Sequence, residues 1–197
     1  MNLVLLAGPP ASGKSAFARY LQGRFDGVVI AKDDIKERLF DTVGFKSYDE
    51  KRALDRCATE IMYLLAESVL KSGGTAVLDN NFEKSSKPGL EKLVRKFDIV
   101  PLTVRFEGDM GEIYKRYVRR ESSPRRHRGH ICRERDPEKK REKTAPLKYE
   151  EFVRRYTERG MTDFVFGRLM TVDCTVPRNI DYKELLKKIC GETSGGR

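Results

Sequence analysis

The sequence lacks long apolar runs, an N-terminal stretch of the signal-peptide type and any Cys-x-x-Cys pair. A membrane-spanning helix needs about 18 or more consecutive apolar residues, so we expect none here. The cysteines lie far apart in the chain, which is typical of reduced thiols rather than of a disulfide framework. They are Cys57, Cys132, Cys174 and Cys190. These absences together predict a cytoplasmic protein.

Positive charge is abundant, but it is concentrated in one segment. The 197 residues carry a formal net charge of +10, and a chain of this length suits a single domain. Residues 115–148 contain 14 Lys/Arg and 5 Asp/Glu, which accounts for nearly all of the excess. The basicity therefore belongs to a local feature and not to a generally cationic surface.

The most specific motif is Gly-Pro-Pro-Ala-Ser-Gly-Lys-Ser at residues 8–15. It has the spacing G-x-x-x-x-G-K-[ST] of the Walker A phosphate loop, and it lies between an apolar run typical of a strand and a helical segment. Gly8 and Gly13 let the backbone turn and approach phosphate oxygens closely. Lys14 is placed to reach the outer phosphates, and the Ser15 hydroxyl to bind Mg²⁺.

The remaining phosphate contacts are expected from backbone N–H groups and from the positive end of the following helix. Pro9 and Pro10 have no N–H, but they fall in the first half of the loop, where they stiffen it. The donors come mainly from the second half. The predicted nucleotide-binding residues are Gly8, Ala11, Ser12, Gly13, Lys14, Ser15 and Ala16.

Acidic residues follow the second predicted strand, at residues 27–31. Ligands of open α/β sheets bind beyond the carboxyl ends of the strands, which brings Asp33 and Asp34 to the site. Asp34 is the natural N-cap of the next helix, so Asp33 is the candidate general base for a substrate hydroxyl. The simpler alternative is that both residues only start the helix.

The third predicted strand, at residues 75–78, is followed by Asp79, Asn80 and Asn81. An acidic residue at this position, downstream of a phosphate loop, typically orients Mg²⁺ or its water shell. The two asparagines offer hydrogen bonds to a substrate hydroxyl or phosphate. They are also ordinary turn formers, and that alternative stays open.

The basic segment begins in a predicted helix at residues 110–120, where Arg116 and Arg120 share one face. Apolar residues then become scarce up to residue 146, and a loop this long is usually functional. A charge run is most often a solvated face. After a phosphate loop it also fits a mobile lid whose arginines stabilise the migrating phosphoryl group. We therefore predict a lid at about 110–148.

Histidines in this segment raise the question of a metal site. His127, His130 and Cys132 lie within six residues of one another, which is short enough for shared coordination. The surrounding arginines would repel a cation, so zinc is disfavoured. The pattern assigns neither histidine a role.

Strands and helices alternate along the chain, which predicts a parallel sheet with helices on both faces. A capping box at residues 47–50 opens a long helix to about residue 72. The apolar face of that helix is expected to pack on the sheet, and it comprises Leu54, Cys57, Ala58, Ile61, Leu65 and Val69.

The further strands are predicted at residues 100–106 and 169–172. The further helices are predicted at residues 87–97, 149–159 and 181–190. We predict one α/β domain over residues 1–190, with a five-stranded parallel sheet in three α/β/α layers, and a frayed tail at 191–197.

The phosphate loop, the Lys-Asp-Asp segment, the Asp-Asn-Asn segment and the basic helix occur in an order that resembles the P-loop kinase group of phage polynucleotide 5′-kinase, chloramphenicol phosphotransferase and zeta toxin. The resemblance covers roughly residues 1–130. It implies that Asp33 is the general base, that Lys36 is its basic neighbour, and that Arg116 and Arg120 are lid arginines. Asn80 stands where the polynucleotide kinases have Thr. The Arg-His-Arg-Gly-His stretch is more similar to bacterial predicted ATP-dependent kinases with a His-x-Gly-His lid.

The sequence thus predicts an ATP-dependent kinase that uses ATP and Mg²⁺. Its catalytic residues are predicted to be Lys14, Asp33, Arg116 and Arg120, with Ser15 and Asp79 as metal ligands and Asp33, Lys36, Asn80 and Asn81 as substrate-binding residues. The acceptor is either a polynucleotide 5′-hydroxyl or a small hydroxylated molecule, and no membrane partner is expected. A nucleotide-dependent regulatory ATPase is the alternative. A pure nucleic-acid-binding module would leave the phosphate loop unexplained.

Overall fold

The computed structural model describes residues 2–131 and 145–194. Within them, five strands form one sheet in the order β2-β3-β1-β4-β5, and every neighbouring pair is parallel. The strands are β1 (Asn2–Ala7), β2 (Val28–Ala31), β3 (Thr75–Asp79), β4 (Leu102–Glu107) and β5 (Arg168–Asp173). The predicted α/β fold with a five-stranded parallel sheet is confirmed.

Helices cover both faces of this sheet. They are α1 (Lys14–Leu21), α2 (Lys32–Thr42), α3 (Tyr48–Lys71), α4 (Lys87–Phe97), α5 (Met110–Glu121), α6 (Arg128–Ile131), α7 (Tyr149–Glu158) and α8 (Tyr182–Ser194). None of these described helices is both long and apolar enough to cross a lipid bilayer.

The central strand β1 is apolar on both faces because it separates two cores. Successive side chains of a strand point to opposite faces, so Val4 and Leu6 join one core with Phe17 of α1. Leu3 and Leu5 join the other core, which contains buried residues of α3 and α4 such as Met62 and Leu90. This is the pattern of a parallel strand that is covered on both sides.

Two expectations about packing were wrong. The buried face of α3 consists of Ala58, Met62, Ala66 and Leu70, whereas Leu65 is 43% exposed and Cys57 is exposed. The helix has more than one apolar stripe, and the one with small alanines faces inward. Strand β2, expected to be buried, lies at the sheet edge beside β3 alone, so Val28 is 49% exposed.

The boundaries of two helices also differ from expectation. Helix α2 begins at Lys32, and its N-cap is Ala31, so Asp34 is a first-turn residue and not the N-cap. Helix α8 extends to Ser194, so residues 191–194 continue a helix where a frayed tail was expected. Residues 132–144 of the expected lid, which include Cys132, lie outside the described residues, as do residues 195–197.

Candidate active site

The carboxyl ends of β1, β2 and β3 open into a cleft of about 550 Å³. This is where the parallel strands deliver the polar residues that follow them. The predicted site residues that line the cleft are Ala11, Gly13, Lys14, Ser15, Ala16, Asp33, Asp79, Asn80, Asn81, Arg116 and Arg120. The structure therefore brings most of the predicted site together. Of the others, Lys36 lines the neighbouring cavities.

Glycine is required at the first position of the phosphate loop. Gly8 has φ +132°, and a Cβ there would lie 2.3 Å from the carbonyl oxygen of Phe106 in β4. Gly13 has φ +102° and directly precedes α1. The first N–H groups of a helix have no partner within it, so the start of α1 presents donors and a positive dipole end to the cleft.

Lys14 is folded back onto the loop. Its Nζ donates to the carbonyl oxygens of Gly8 and Pro9, each at 2.8 Å, and to Oγ of Ser12 at 3.3 Å. The residue is only 5% exposed. Burial lowers the pKa of Lys14 to about 8, although the nearby charge of Asp79 acts in the opposite direction.

Asp79 and Ser15 place two oxygen atoms that could bind a metal ion beside this lysine. Asp79 is buried, and burial raises its pKa, while the charge of Lys14 and a hydrogen bond from the Ser15 side chain act to lower it. A carboxylate and a hydroxyl at the phosphate end of the cleft are ligands that suit Mg²⁺. The two residues therefore fit the predicted metal-binding role.

Asp33 belongs to a network of ion pairs. Its carboxylate lies 3.2 Å from Nζ of Lys36, which also lies 3.2 Å from Asp55 of α3. Lys32 contacts the same Asp55 at 3.0 Å. Burial acts to raise the pKa of Asp33, but the charges of Lys36, His130 and Arg126 outweigh it, and the pKa lies below its usual range. Asp33 is therefore ionised at neutral pH and available as a hydrogen-bond acceptor.

The two predicted lid arginines have different partners. Arg116 donates from Nε to the carbonyl oxygen of Ala11 (3.1 Å), and from its terminal nitrogens to those of Cys174 (2.8 Å) and Thr175 (2.9 Å). It thus ties the phosphate loop to the segment after β5. Arg120 pairs with Glu121, whose Oε1 lies 3.1 Å from its Nε.

Arg126 is a site residue that the sequence reasoning did not select. It lines the cleft, and its side chain is 15% exposed. Among the described residues, its buried Nε has no hydrogen-bond partner, although it lies 3.2 Å from Oε1 of Glu121. The run of basic residues was a signal for such an arginine, but it did not show which side chain turns inward.

Two further cavities meet the cleft at Asp33. They have volumes of about 750 Å³ and about 880 Å³. Both are lined by Asp33 and Lys36 together with tyrosines and many basic side chains. The basic residues of the smaller one are Lys32, Lys36, Lys51, Arg52, Arg56, Lys92 and Arg159.

A strand, a glycine loop and a helix at the carboxyl edge of an all-parallel sheet define a P-loop nucleotide-binding domain. The chain belongs to the AAA_33 family of AAA domains, whose family model matches residues 3–146. This membership confirms the resemblance to the P-loop kinase group. No functionally curated protein matches the sequence.

Solved structures share the fold at low sequence identity. A candidate kinase from Chloroflexus aurantiacus is 24% identical, with a TM-score of 0.78 over 96% of this chain and 97% of that one. A sugar kinase from Janibacter is 11% identical, with a TM-score of 0.54 over 96% and 92% of the two chains. A chain of an RNA repair complex is 20% identical, with a TM-score of 0.55 over 84% of this chain and 47% of that one.

Proposed function

We propose that the protein is an ATP-dependent kinase that transfers the γ-phosphoryl group to an alcohol. The observation that carries the proposal is the placement of Asp33 in the same cleft as Lys14 and Asp79. A phosphate loop with its metal ligands is common to all P-loop NTPases and does not by itself indicate a kinase. An ionised carboxylate that also lines two further cavities gives an acceptor hydroxyl a place to bind.

In this mechanism the start of α1 binds the phosphate chain, and Lys14 leaves its loop carbonyls to contact the outer phosphates. Ser15 and Asp79 would hold Mg²⁺, and the ion would supply positive charge to offset that of the phosphates. Arg120 also lines the cleft, and its positive charge stabilises the negative charge that develops during transfer. Arg116 keeps the phosphate loop in position through its backbone contacts.

Asp33 orients the acceptor hydroxyl and takes its proton. A carboxylate with a lowered pKa is a weak base, which would be a handicap if the proton had to leave early. Phosphoryl transfer passes through a loose transition state in which little charge builds up on the attacking oxygen. A well-placed carboxylate that is always ionised then serves better as proton acceptor than a stronger base that is partly protonated.

The acceptor is proposed to carry an anionic group of its own. Arg52 and Arg56 lie one turn apart on α3 and line the same cavity as Asp33 and Lys92. Arginine pairs of this kind bind phosphate oxygens through several donors. Tyr63 and Tyr156 in the wall offer flat surfaces to a base or sugar ring. A polynucleotide 5′ end and a small phosphorylated alcohol both have this chemistry.

The mechanism is tested by transfer of labelled phosphate from ATP to acceptors of three kinds: a 5′-hydroxyl oligonucleotide, a nucleoside 3′-monophosphate and a neutral sugar. Asp33→Asn should lower kcat by about 10² to 10⁴ and change ATP affinity only a few-fold, because it removes proton transfer and not nucleotide contacts. Asp26→Asn, in an exposed loop, is the matched control. Equal losses in kcat and in ATP affinity would contradict a role for Asp33 as base.

The acceptor class is tested by Arg52→Ala combined with Arg56→Ala. The pair should raise KM for a phosphorylated acceptor by about 10-fold or more and leave KM for ATP unchanged, since each charge-assisted contact contributes roughly 1.5 to 3 kcal/mol. Arg95→Ala, on the exposed side of α4, should change neither. Transfer to the neutral sugar alone would refute an anionic acceptor.

A further inference from the structure

The Arg-His-Arg-Gly-His stretch at residues 126–130 has no part in the mechanism above, yet it makes dense contacts with α2. His130 Nε2 lies 2.8 Å from Oε1 of Glu37. His127 Nε2 lies 3.2 Å from Oδ1 of Asp41. Glu37 and Asp41 are four residues apart, so they share one face of α2. Two histidines thus meet two carboxylates that are spaced by one helical turn.

The tautomer of His127 follows from the hydrogen bond at its other ring nitrogen. Its Nδ1 accepts a hydrogen bond from the backbone N–H of Gly129 at 3.1 Å. A neutral imidazole that accepts at one nitrogen carries its proton on the other, so Nε2–H donates to Asp41. The same hydrogen bond folds the segment into a tight turn, which His130 N continues by donating to the carbonyl oxygen of His127 at 3.1 Å.

Gly129 allows this turn to lie directly against an aromatic ring. A Cβ at this position would lie 2.2 Å from Cδ2 of Phe40. That ring cannot move away, because Phe40 is 1% exposed and packs on Phe45 with ring centroids 4.9 Å apart. The rings of His127 and His130 flank Phe40 at 6.5 and 6.2 Å. The Gly is therefore required by packing, and not by its backbone conformation.

The contacts place the preceding residue in the cleft. Arg126 extends from this turn toward Asp33, whose pKa its charge helps to lower, and its Nε has no hydrogen-bond partner among the described residues. We propose that His127, Gly129 and His130 form a clamp on α2 that positions Arg126 over the phosphoryl-transfer site. The proposal rests on the proposed kinase function. It makes the two histidines positioning residues, and Arg126 the group that touches the migrating phosphoryl oxygens.

A metal ion is the competing explanation, since ligand atoms of Glu37, His127 and His130 lie within 4.8 Å of one another. Both imidazoles already make hydrogen bonds to carboxylates of α2. The charges of Lys36 and Arg126 also act on His130, and a divalent cation there would be repelled by both. The clamp is therefore held by hydrogen bonds and packing.

Gly129→Ala is the sharpest test, because it changes neither imidazole nor any charge. Hydrogen exchange of the peptide covering residues 124–131 should become at least 10-fold faster, and kcat should fall about 10- to 100-fold with KM for ATP unchanged. Gly191→Ala, where a Cβ meets nothing within 4 Å, is the matched control and should change neither. Combining Gly129→Ala with Phe40→Leu should restore part of the protection from hydrogen exchange, since the smaller leucine side chain makes room for the added Cβ.

A second pair of variants separates hydrogen bonding from packing. Glu37→Gln keeps an oxygen acceptor for His130 and should retain most of the protection from hydrogen exchange and most of kcat, whereas Glu37→Leu should lose both.

The outcomes that contradict the proposal are distinct. Normal protection from hydrogen exchange in Gly129→Ala would overturn the clamp whatever the activity. Lost protection with an unchanged kcat would overturn its positioning role. Protection that is removed by a chelator and restored by zinc would show a metal site instead. Exchange is measured without any acceptor, so failure of the kinase proposal would leave the clamp result standing.

Discussion

The lowered pKa of Lys14 predicts that ATP binding takes up a proton. The ordinary pKa of lysine is 10.5, and burial brings that of Lys14 to about 8. In the free protein about one-tenth of Lys14 is therefore neutral at pH 7, half at pH 8 and about nine-tenths at pH 9. Phosphates in contact with Nζ favour the charged form, so bound Lys14 is protonated across this range.

The magnitude follows from linkage. Neutral Lys14 must be protonated before it can pair with the phosphates, so the apparent Kd for ATP should rise about 10-fold between pH 7 and pH 9. About half a proton should be taken up for each ATP bound at pH 8. Calorimetric titrations in buffers of different ionisation enthalpy measure both quantities. The amount of proton uptake is diagnostic, because a lysine with its ordinary pKa is already protonated at pH 8 and would take up almost no proton.

Lys14→Arg is the matched control for this titration, because a guanidinium stays charged to pH 12 and above. Its affinity for ATP is expected to be lower but flat between pH 7 and pH 9. A wild-type Kd that does not change over this interval would refute the argument. So would a slope of the same size in Lys14→Arg, since the titrating group would then be another residue.

Two further substitutions test the geometry of the phosphate loop and the proposed metal-binding role of Asp79. In a denaturant titration, Gly8→Ala should lower the free energy of unfolding by about 3 kcal/mol or more, because its Cβ would collide with a backbone oxygen of β4. Gly23→Ala is the control, since Gly23 has φ +72° and open space around it, and this substitution should cost only about 1 kcal/mol. Asp79→Asn should raise the Mg²⁺ concentration for half-maximal transfer by about 10-fold or more, because it keeps the side-chain shape but removes the negative charge. An unchanged Mg²⁺ dependence would contradict the assignment of Asp79 as a metal ligand.

The parts of the site that depend on local sequence were predictable. The phosphate loop follows β1 and opens α1. Asp79 is the last residue of β3, and Asp33 lies two residues after the end of β2, so these strands deliver both carboxylates to the cleft. Their positions need only two facts, that strands alternate with helices and that parallel strands end at the same edge. The core followed from the same pattern, although the alanine-rich stripe of α3 showed that hydrophobicity alone does not select which face packs.

The parts that depend on distant contacts were not predictable. Asp55 lies within α3, and nothing near it in the sequence indicates that it pairs with Lys36 and so helps to fix the electrostatics around Asp33. The packing of Gly129 on Phe40 joins residues 89 positions apart. Such pairings are decided by how helices cross, which a single sequence does not encode in any short pattern.

The different partners of Arg116 and Arg120 show why shared spacing does not mean shared function. Arg116 and Arg120 lie on one face of α5, but the step of four residues between their positions separates them by about 6 Å along the helix axis. That distance is enough for Arg116 to reach backbone carbonyls of the phosphate loop and of the segment after β5. Arg120 instead lies close enough to Lys14 for its charge to lower that pKa. Removing Arg116 should therefore loosen the loop before any chemistry occurs, whereas removing Arg120 should leave the loop intact and affect the charge that forms during transfer.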